Sequence, residues 1–294
     1  MKNAIKYYYN LDLDSIHQKD KIYSFNCKND SYILINYDMD DVNIENGIAN
    51  YLLMNGQKTN QIVLNNFNQL VTNINNSKYV LIKILIPLKK ITIDDVINFN
   101  IYFNNNEIKT SWFDLWTKKI DYLEYRMNQQ GLKYKLLRES FSYYIGLAEN
   151  AIILVKENSA NNFTLSHKRI SYNDTTYQLY NPLNYTIDCY FRDTCEYFKS
   201  AFFNNVDILQ PVKQYLNNLN FNDKRMFFAR LMFPTYYFDY YEKIIDNEIE
   251  EKEINKIISS SDKYELFLRE IYFYLENALP EIEWLKKLSN IDNF

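Results

Sequence analysis

Glycine is nearly absent from this chain. Only Gly47, Gly56, Gly131 and Gly146 occur among 294 residues, and no two lie closer than nine positions. Folds that cradle a phosphate on bare backbone need two or three glycines within roughly eight residues, because a Cβ there would collide with the ligand. A Walker A loop and a dinucleotide-binding fingerprint are therefore excluded, and so is the glycine-flanked nucleophile elbow of the α/β-hydrolases. The other chemically versatile residues are as sparse. His17 and His167 stand 150 positions apart, so no HExxH zinc helix exists. Cys27, Cys189 and Cys195 form no CxxC pair and are odd in number, which reads as three free, mostly buried thiols in a reducing compartment. A nucleophilic pair of Cys189 or Cys195 with His167 is conceivable, but small apolar packing is the simpler role for these thiols.

Composition narrows the field further. Hydrophobic residues make up 47% and charged residues 24%, which is globular rather than disordered. The length suits one large domain or two intimate ones. A net charge of −4 argues against a protein that binds nucleic acid by neutralising phosphates. The lysine and arginine clusters 118–119, 133–138 and 224–225 are dispersed among acids, unlike the basic groove of a single-strand binder. The first fifteen residues carry no apolar signal region, and no apolar run reaches the roughly 18 residues of a membrane span. The expectation is a cytoplasmic protein that engages neither nucleic acid nor membrane. Asparagine occurs 40 times and tyrosine 28 times, an AT-rich coding signature that lowers the weight of any single Asn or Tyr.

Periodicity predicts a division into two parts. Residues 21–27 (KIYSFNC) and 32–37 (YILINY) read as strands joined by a turn at 28–31. Ile44, Ile48, Leu52 and Leu53 mark one face of a helix ending near Gly56, and strands at 61–64 and 79–85 follow. The resulting ββαββ pattern predicts a small sheet with a helix on one face. After a polar loop at 104–106 the pattern turns helical. Trp112, Leu115, Trp116, Ile120, Leu123 and Met127 share a face behind the cap residue Ser111, and Gly131 ends that helix. Further helices are expected at 136–149, 194–203, 222–230, 236–258, 263–276 and 281–288, the last opened by Pro280. The acidic stretch 246–253 reads as a solvated helix face. The boundaries predicted are a β-rich N-terminal lobe over 1–88 and a helical C-terminal lobe over 89–294.

One segment carries a specific resemblance. Residues 163–200, FTLSHKRISYNDTTYQLYNPLNYTIDCYFRDTCEYFKS, resemble the catalytic segment of the aminoglycoside/choline phosphotransferase group of the kinase-like fold, in particular its spore-coat CotS/YutH-type branch. TLSHKR matches the strand and catalytic loop, QLYNP the strand end that presents a metal-binding acid, and FRDTCEYF the helix start that follows twelve residues after Asn181. The preceding helix and loop, ESFSYYIGLAENAIILVK, are similar to that branch as well. The resemblance implies an α+β, two-lobed protein-kinase-like fold with a small β-rich N-lobe and a larger, mainly helical C-lobe. It also implies ATP and Mg²⁺ as the cofactors, if any are used.

The resemblance assigns positions whose letters are altered. Arg169 stands where the group has its catalytic Asp, and a guanidinium neither accepts a proton near neutral pH nor binds a cation. Asp174, beside Asn173, occupies the second metal position, and Asn181, a neutral and weaker ligand, occupies the principal one. The strand that should present a phosphate-binding Lys offers Ile35 or Asn36, depending on register. Glu45 corresponds to the helix acid that would pair that Lys, and Ile84 opens the 84–88 hinge that would hold adenine. His167 and Asp193 match the residues that brace the catalytic loop. As bare residues, Glu45 reads equally as a solvated helix acid and the pair Arg192-Asp193 as an ordinary helix start.

Three functions compete. The first is a catalytically degenerate kinase-like scaffold whose partner is another protein, with a nucleotide as a candidate ligand and a spore-coat link implied by the resemblance. The second is an active small-molecule phosphotransferase in which Asp174 or Asp188 supplies the base, Asn173, Asp174 and Asn181 surround the metal, and Arg169 neutralises phosphate. The third is an aromatic-rich interaction protein that presents some of its 50 aromatic rings to a partner. The loss of several catalytic groups at once favours the first.

Overall fold

The computed structural model describes all residues except 14, 20–21, 38–41, 100, 102–110, 157–162, 276 and 287–294. In chain order its elements are α1 (Lys2–Tyr9), β1 (His17–Lys19), β2 (Ile22–Cys27), β3 (Asp30–Asn36), α2 (Val42–Met54), β4 (Gln61–Val63), β5 (Val71–Ile74) and β6 (Ser77–Ile84). There follow α3 (Ile93–Asn98), α4 (Trp112–Gln130), α5 (Lys135–Lys156), β7 (Phe163–His167), α6 (Thr176–Leu179), β8 (Tyr185–Cys189) and α7 (Arg192–Phe202). The chain continues with α8 (Leu209–Asn217), α9 (Phe221–Met232), α10 (Thr235–Ile245), α11 (Asn255–Ile258), α12 (Ser261–Tyr274) and α13 (Glu283–Lys286). Two compact units are formed, one by Met1–Thr92 with His167–Thr186, the other by Ile93–Ser166 with Ile187–Phe294.

The first unit is built on an antiparallel sheet in the order β1-β2-β3-β6-β4, with β5 also paired to β6. Two of its tight turns, among the described residues, place residues in the left-handed region. Lys28 sits at φ 54° between β2 and β3, and Asn75 and Asn76 sit at 50° and 63° between β5 and β6. Two successive asparagines of this kind make the type I′ turn whose twist matches that of the flanking strands. Side-chain alternation then gives the sheet two apolar faces. Leu34 and Leu81, opposite each other in register, point with Phe25, Cys27 and Tyr79 toward Ile5 and Tyr9 of α1. Val80 and Ile82 point the other way, toward Val42 of α2 and Leu183.

The sheet is therefore covered on both faces, where the sequence pattern predicts one helix on one face. Strand β5, strand β1 and helix α1 are absent from that prediction. Helix α2 also presents a different side. Val42, Glu45, Ala49 and Leu52 are buried, whereas Ile44, expected in the core, is 66% exposed. An apolar residue on nearly every side of α2 left its facing undetermined by periodicity. The helix ends as expected, with Gly56 at φ 68°.

In the second unit α4 begins as the sequence predicts, with Ser111 Oγ accepting from the Asp114 backbone N–H at 3.3 Å. Trp112, Trp116, Ile120, Leu123 and Met127 are buried, while Leu115 is exposed. Helix α5 runs beyond the expected end at 149, to Lys156. The helix expected over 236–258 breaks at Asp246 and resumes only as a 3-10 turn, Glu251–Ile254, and α11. The acidic stretch is accordingly a turn, not a helix face: Asp246 pairs with Arg126 at 2.8 Å, and Glu251 accepts from the Leu136 backbone N–H at 2.5 Å. Helix α8 was not anticipated. The loop expected at 104–106 and the end of the last helix lie outside the described residues. Among the described residues no helix is long and apolar enough to cross a membrane.

A buried ionic cluster holds α7, α9 and α10 together. The Lys199 ammonium donates to the carbonyls of Arg230 (3.0 Å) and Phe233 (3.1 Å) and to Thr235 Oγ1 (2.8 Å), and lies 2.8 Å from Glu196 Oε1. Arg230 Nε reaches Glu196 Oε1 at 2.6 Å, and its guanidinium lies over the rings of Trp112 and Trp116. Burial pushes the Glu196 carboxyl up, but Lys199 and Arg230 outweigh it and hold the group well below the usual carboxylate range. A folded-state pKa below the unfolded value stabilises at pH above the unfolded pKa and is lost as pH falls through the folded one. Glu196→Gln is therefore expected to cost about 3 kcal/mol in urea unfolding at pH 7, with the gap from wild type closing progressively below about pH 4.

Candidate functional site

Strand β7 ends at His167, which has no exposed surface, and the loop that follows carries most of the motif positions. His167 Nε2 lies 2.7 Å from the Leu179 carbonyl oxygen. A carbonyl only accepts, so Nε2 carries the proton and donates. The imidazole packs edge-on to Tyr185, whose hydroxyl is 2.8 Å from Thr59 Oγ1. His167 thus ties the start of the loop to the end of α6.

The next residue makes the contact that dominates this site. Lys168 Nζ lies 2.5 Å from Glu45 Oε1 and 3.1 Å from the Leu183 carbonyl oxygen. Glu45 is 3% exposed on the inner side of α2, and its other oxygen accepts from the Tyr37 hydroxyl at 2.6 Å. Both carboxylate oxygens of the helix acid are thereby engaged, one by a cation from the loop and one by a phenol at the end of β3. The sequence points to Glu45 but not to Lys168 as its partner, because Lys168 is not at the strand position that the resemblance assigns to the pairing lysine. That strand position is filled by Ile35, half-buried against the core, and Asn36, whose amide donates to the Lys78 carbonyl at 3.0 Å.

Arg169 is exposed, and its backbone is clamped at both polar atoms. Its N–H donates to Asn184 Oδ1 at 3.0 Å and its carbonyl accepts from Asn184 Nδ2 at 2.7 Å, while its Nη1 reaches the Lys168 carbonyl at 3.2 Å. Asn184 was hidden among forty asparagines. Asp174 closes the turn that follows, with Oδ2 accepting from the Ser171 backbone N–H at 2.7 Å. Burial raises the Asp174 pKa, opposed by that N–H and by His167. The same turn is stitched to the end of the N-terminal segment, Ile91 N–H to the Asp174 carbonyl at 3.1 Å and Thr176 N–H to the Lys89 carbonyl at 2.9 Å.

Helix α6 starts with a capping box of Thr175 and Gln178, where the resemblance expects a strand end. Asn181 then caps the 3-10 turn Pro182–Asn184, its Oδ1 accepting from the Leu183 N–H at 3.1 Å. Ile84 lies half-buried at the end of β6, opposite Ser31 in register and against the apolar cluster of Val80 and Ile82. Glu45, Ile84, His167, Arg169, Asp174 and Asn181 all belong to the first unit.

Asp193 belongs to the second unit, at the first turn of α7, with Oδ1 3.2 Å from Arg192 Nη1. Asp188, an alternative base, is buried there too. Its Oδ1 accepts from Trp112 Nε1 and from the Cys189 N–H, both at 2.8 Å, and its Oδ2 lies 2.9 Å from Arg192 Nε. All three cysteines are buried thiols, and burial pushes Cys195 up to about 12, far from a nucleophile's range. Among the described residues no three His, Cys, Asp or Glu side chains converge as a metal site requires.

The family model described as spore coat putative kinase YutH matches residues 2–271. The chain belongs to the YutH family of spore coat putative kinases. Within that family, the endospore coat-associated protein YutH of Bacillus subtilis (strain 168) is 28% identical over 212 residues, which is 61% of this chain and 62% of that protein. The match thus spans about six-tenths of the curated relative's length. Among solved structures, an aminoglycoside phosphotransferase from Alicyclobacillus acidocaldarius superposes with a TM-score of 0.59 over 94% of this chain and 96% of its own, at 10% identity. An amicoumacin kinase matches with a TM-score of 0.58 at 11% identity over 92% and 91%. Spectinomycin phosphotransferase matches with 0.57 at 12% over 94% and 97%. At such identities the likeness is one of fold. This YutH-family chain has the α+β, two-lobed kinase-like fold, with an antiparallel sheet in its N-terminal part and helices in its C-terminal part.

The Asn181 cap yields a direct test of its role. Asn181→Ala is expected to lose about 1 kcal/mol in urea unfolding, the usual value of a capping side chain, whereas Asn181→Asp keeps an acceptor and stays within about 0.5 kcal/mol of wild type.

Proposed function

We propose that this protein is a non-catalytic, kinase-like component of the spore coat, whose former catalytic loop is a structural brace and whose partner is another protein. The observation that carries this reading is the pairing of Glu45 with Lys168. The acid that would position a phosphate-binding strand lysine is instead bonded to the loop, and Tyr37 fills its remaining oxygen.

The other motif positions support the same reading. Asn181 Oδ1 is spent on the Leu183 N–H, and Asp174 Oδ2 on the Ser171 N–H. The cation of Arg169 stands where a proton acceptor is needed. Asp188 is held by Trp112, Cys189 and Arg192. A magnesium–triphosphate group asks for anionic oxygens directed at one point, and this donor set does not fit it. The spore-coat assignment rests on the family and on the name of its Bacillus subtilis relative.

Thermal unfolding with and without ATP, each with and without Mg²⁺, tests the reading. A ligand at 100 times its Kd stabilises by about 2.7 kcal/mol, a readily measured shift. No Mg²⁺-dependent shift is expected at millimolar nucleotide. A Mg²⁺-dependent shift accompanied by phosphate transfer to a small-molecule acceptor would overturn the proposal.

A further inference from the structure

Strand β5 is an open edge. Among the described residues it pairs only with β6, through the turn at Asn75-Asn76. In a two-residue hairpin the residues beside the turn, here Ile74 and Ser77, exchange hydrogen bonds, and bonded and non-bonded pairs then alternate along the strands. Asn73 opposite Lys78 and Val71 opposite Val80 are therefore non-bonded pairs. Lys78 bears this out, because its carbonyl turns away from β5 and accepts from the Tyr37 N–H at 2.9 Å and from the Asn36 amide at 3.0 Å. The N–H and C=O groups of Val71 and Asn73 thus point outward from the sheet, a row of donors and acceptors at strand spacing.

Val71 and Asn73 also line a groove of about 560 Å³ that reaches the first turns of α2 and the loop before β5. Carboxamides line it from three segments: Asn43 and Asn46 from α2, Asn68 and Gln69 from the loop, and Asn73 from β5 itself. None of these side-chain amides is hydrogen-bonded within the chain. The carboxamides of Asn65, Asn181 and Asn184, by contrast, are all bonded internally. The loop that presents Asn68 and Gln69 is fixed by buried Asn65. Its Oδ1 accepts from the N–H groups of Phe67 and Gln69 at 2.9 and 3.0 Å, and its Nδ2 donates to Thr72 Oγ1 at 3.0 Å.

We propose that this edge and groove bind an extended, acidic peptide segment of the protein partner, which adds to β5 as a further strand. The inference rests on the reading that the partner is a protein, and it names the surface used. A peptide main chain donates and accepts at every residue, which matches both the outward groups of Val71 and Asn73 and the unbonded carboxamides. Alternate side chains of an added strand turn to one face, where Leu64, Leu70 and Val71 supply apolar contact. Among the described residues Lys78 is the one ionisable group lining the groove; it has no ion-pair partner and so selects a carboxylate. The preformed loop lowers the cost of ordering the site on binding. An oligosaccharide also suits carboxamides but makes no use of the strand edge.

Selection of random peptides displayed on phage against the full chain tests this, with fluorescence polarisation of the peptides recovered. They are expected to carry an acid among alternating apolar residues and to bind with micromolar Kd. Asn73→Pro removes an outward N–H that the fold leaves unused, and proline is tolerated on that side of an edge strand. Its melting temperature stays close to that of wild type while peptide affinity falls roughly tenfold or more. Lys78→Glu, a charge reversal at an exposed residue, weakens the same peptides by roughly tenfold. A library that yields no binder overturns the proposal, and so do binders that hold Asn73→Pro or Lys78→Glu as tightly as wild type. Either result leaves the non-catalytic reading standing on the nucleotide experiment, which does not involve this surface.

Discussion

A carboxylate with 3% exposure needs a cation, and Glu45 finds its cation on Lys168. Most of the first unit is arranged around that requirement. The pair joins α2 to the loop after β7, across 123 residues of sequence. Tyr37 adds the end of β3 to the same point. The loop can reach it because His167 is fixed on Leu179, Arg169 is clamped by Asn184, and the 3-10 turn capped by Asn181 supplies the Leu183 carbonyl that shares the ammonium. Removing Lys168 leaves the buried Glu45 carboxylate without its cation, which costs several kcal/mol, whereas the one-third exposed Lys168 keeps some contact with water. The loop's geometry is therefore coupled to the integrity of the sheet's helical cover.

This coupling gives the altered motif a physical meaning. A kinase-like loop must keep its acceptors pointed at a ligand that comes and goes. In this YutH-family chain the acceptors are bonded to backbone N–H groups of the loop itself, and the loop cation is bonded to the helix acid.

The sequence carried the fold well where residue chemistry was local. The Ser111 cap, the Trp112–Met127 face and Gly56 each declare a helix end or side by short-range rules. Facing is lost where those rules are degenerate: α2 is apolar on almost every side, so Ile44 reads as core and Glu45 equally as a solvated acid or as the paired helix acid. Strand β5 was missed although Asn75-Asn76 is a hairpin turn signal, because asparagine is so common here that its turns do not stand out. The site was legible as a list of altered letters through family resemblance. Its defining contact was not, because a lysine next to a motif histidine gives no hint of a glutamate 123 residues away. Asn184 and the Glu196–Lys199–Arg230 cluster were invisible for the same reason: their partners come together only in the folded chain.

The account stands on one energetic claim, that Glu45 and Lys168 stabilise the fold as a pair. A double-mutant cycle of Glu45→Gln and Lys168→Met, followed by urea unfolding, measures it directly. The two changes should be non-additive, with a coupling of about 2 kcal/mol and the double variant more stable than the sum of the single losses. A coupling within about 0.5 kcal/mol of zero, the range of independent sites, would contradict the claim and return the loop to a ligand-facing role.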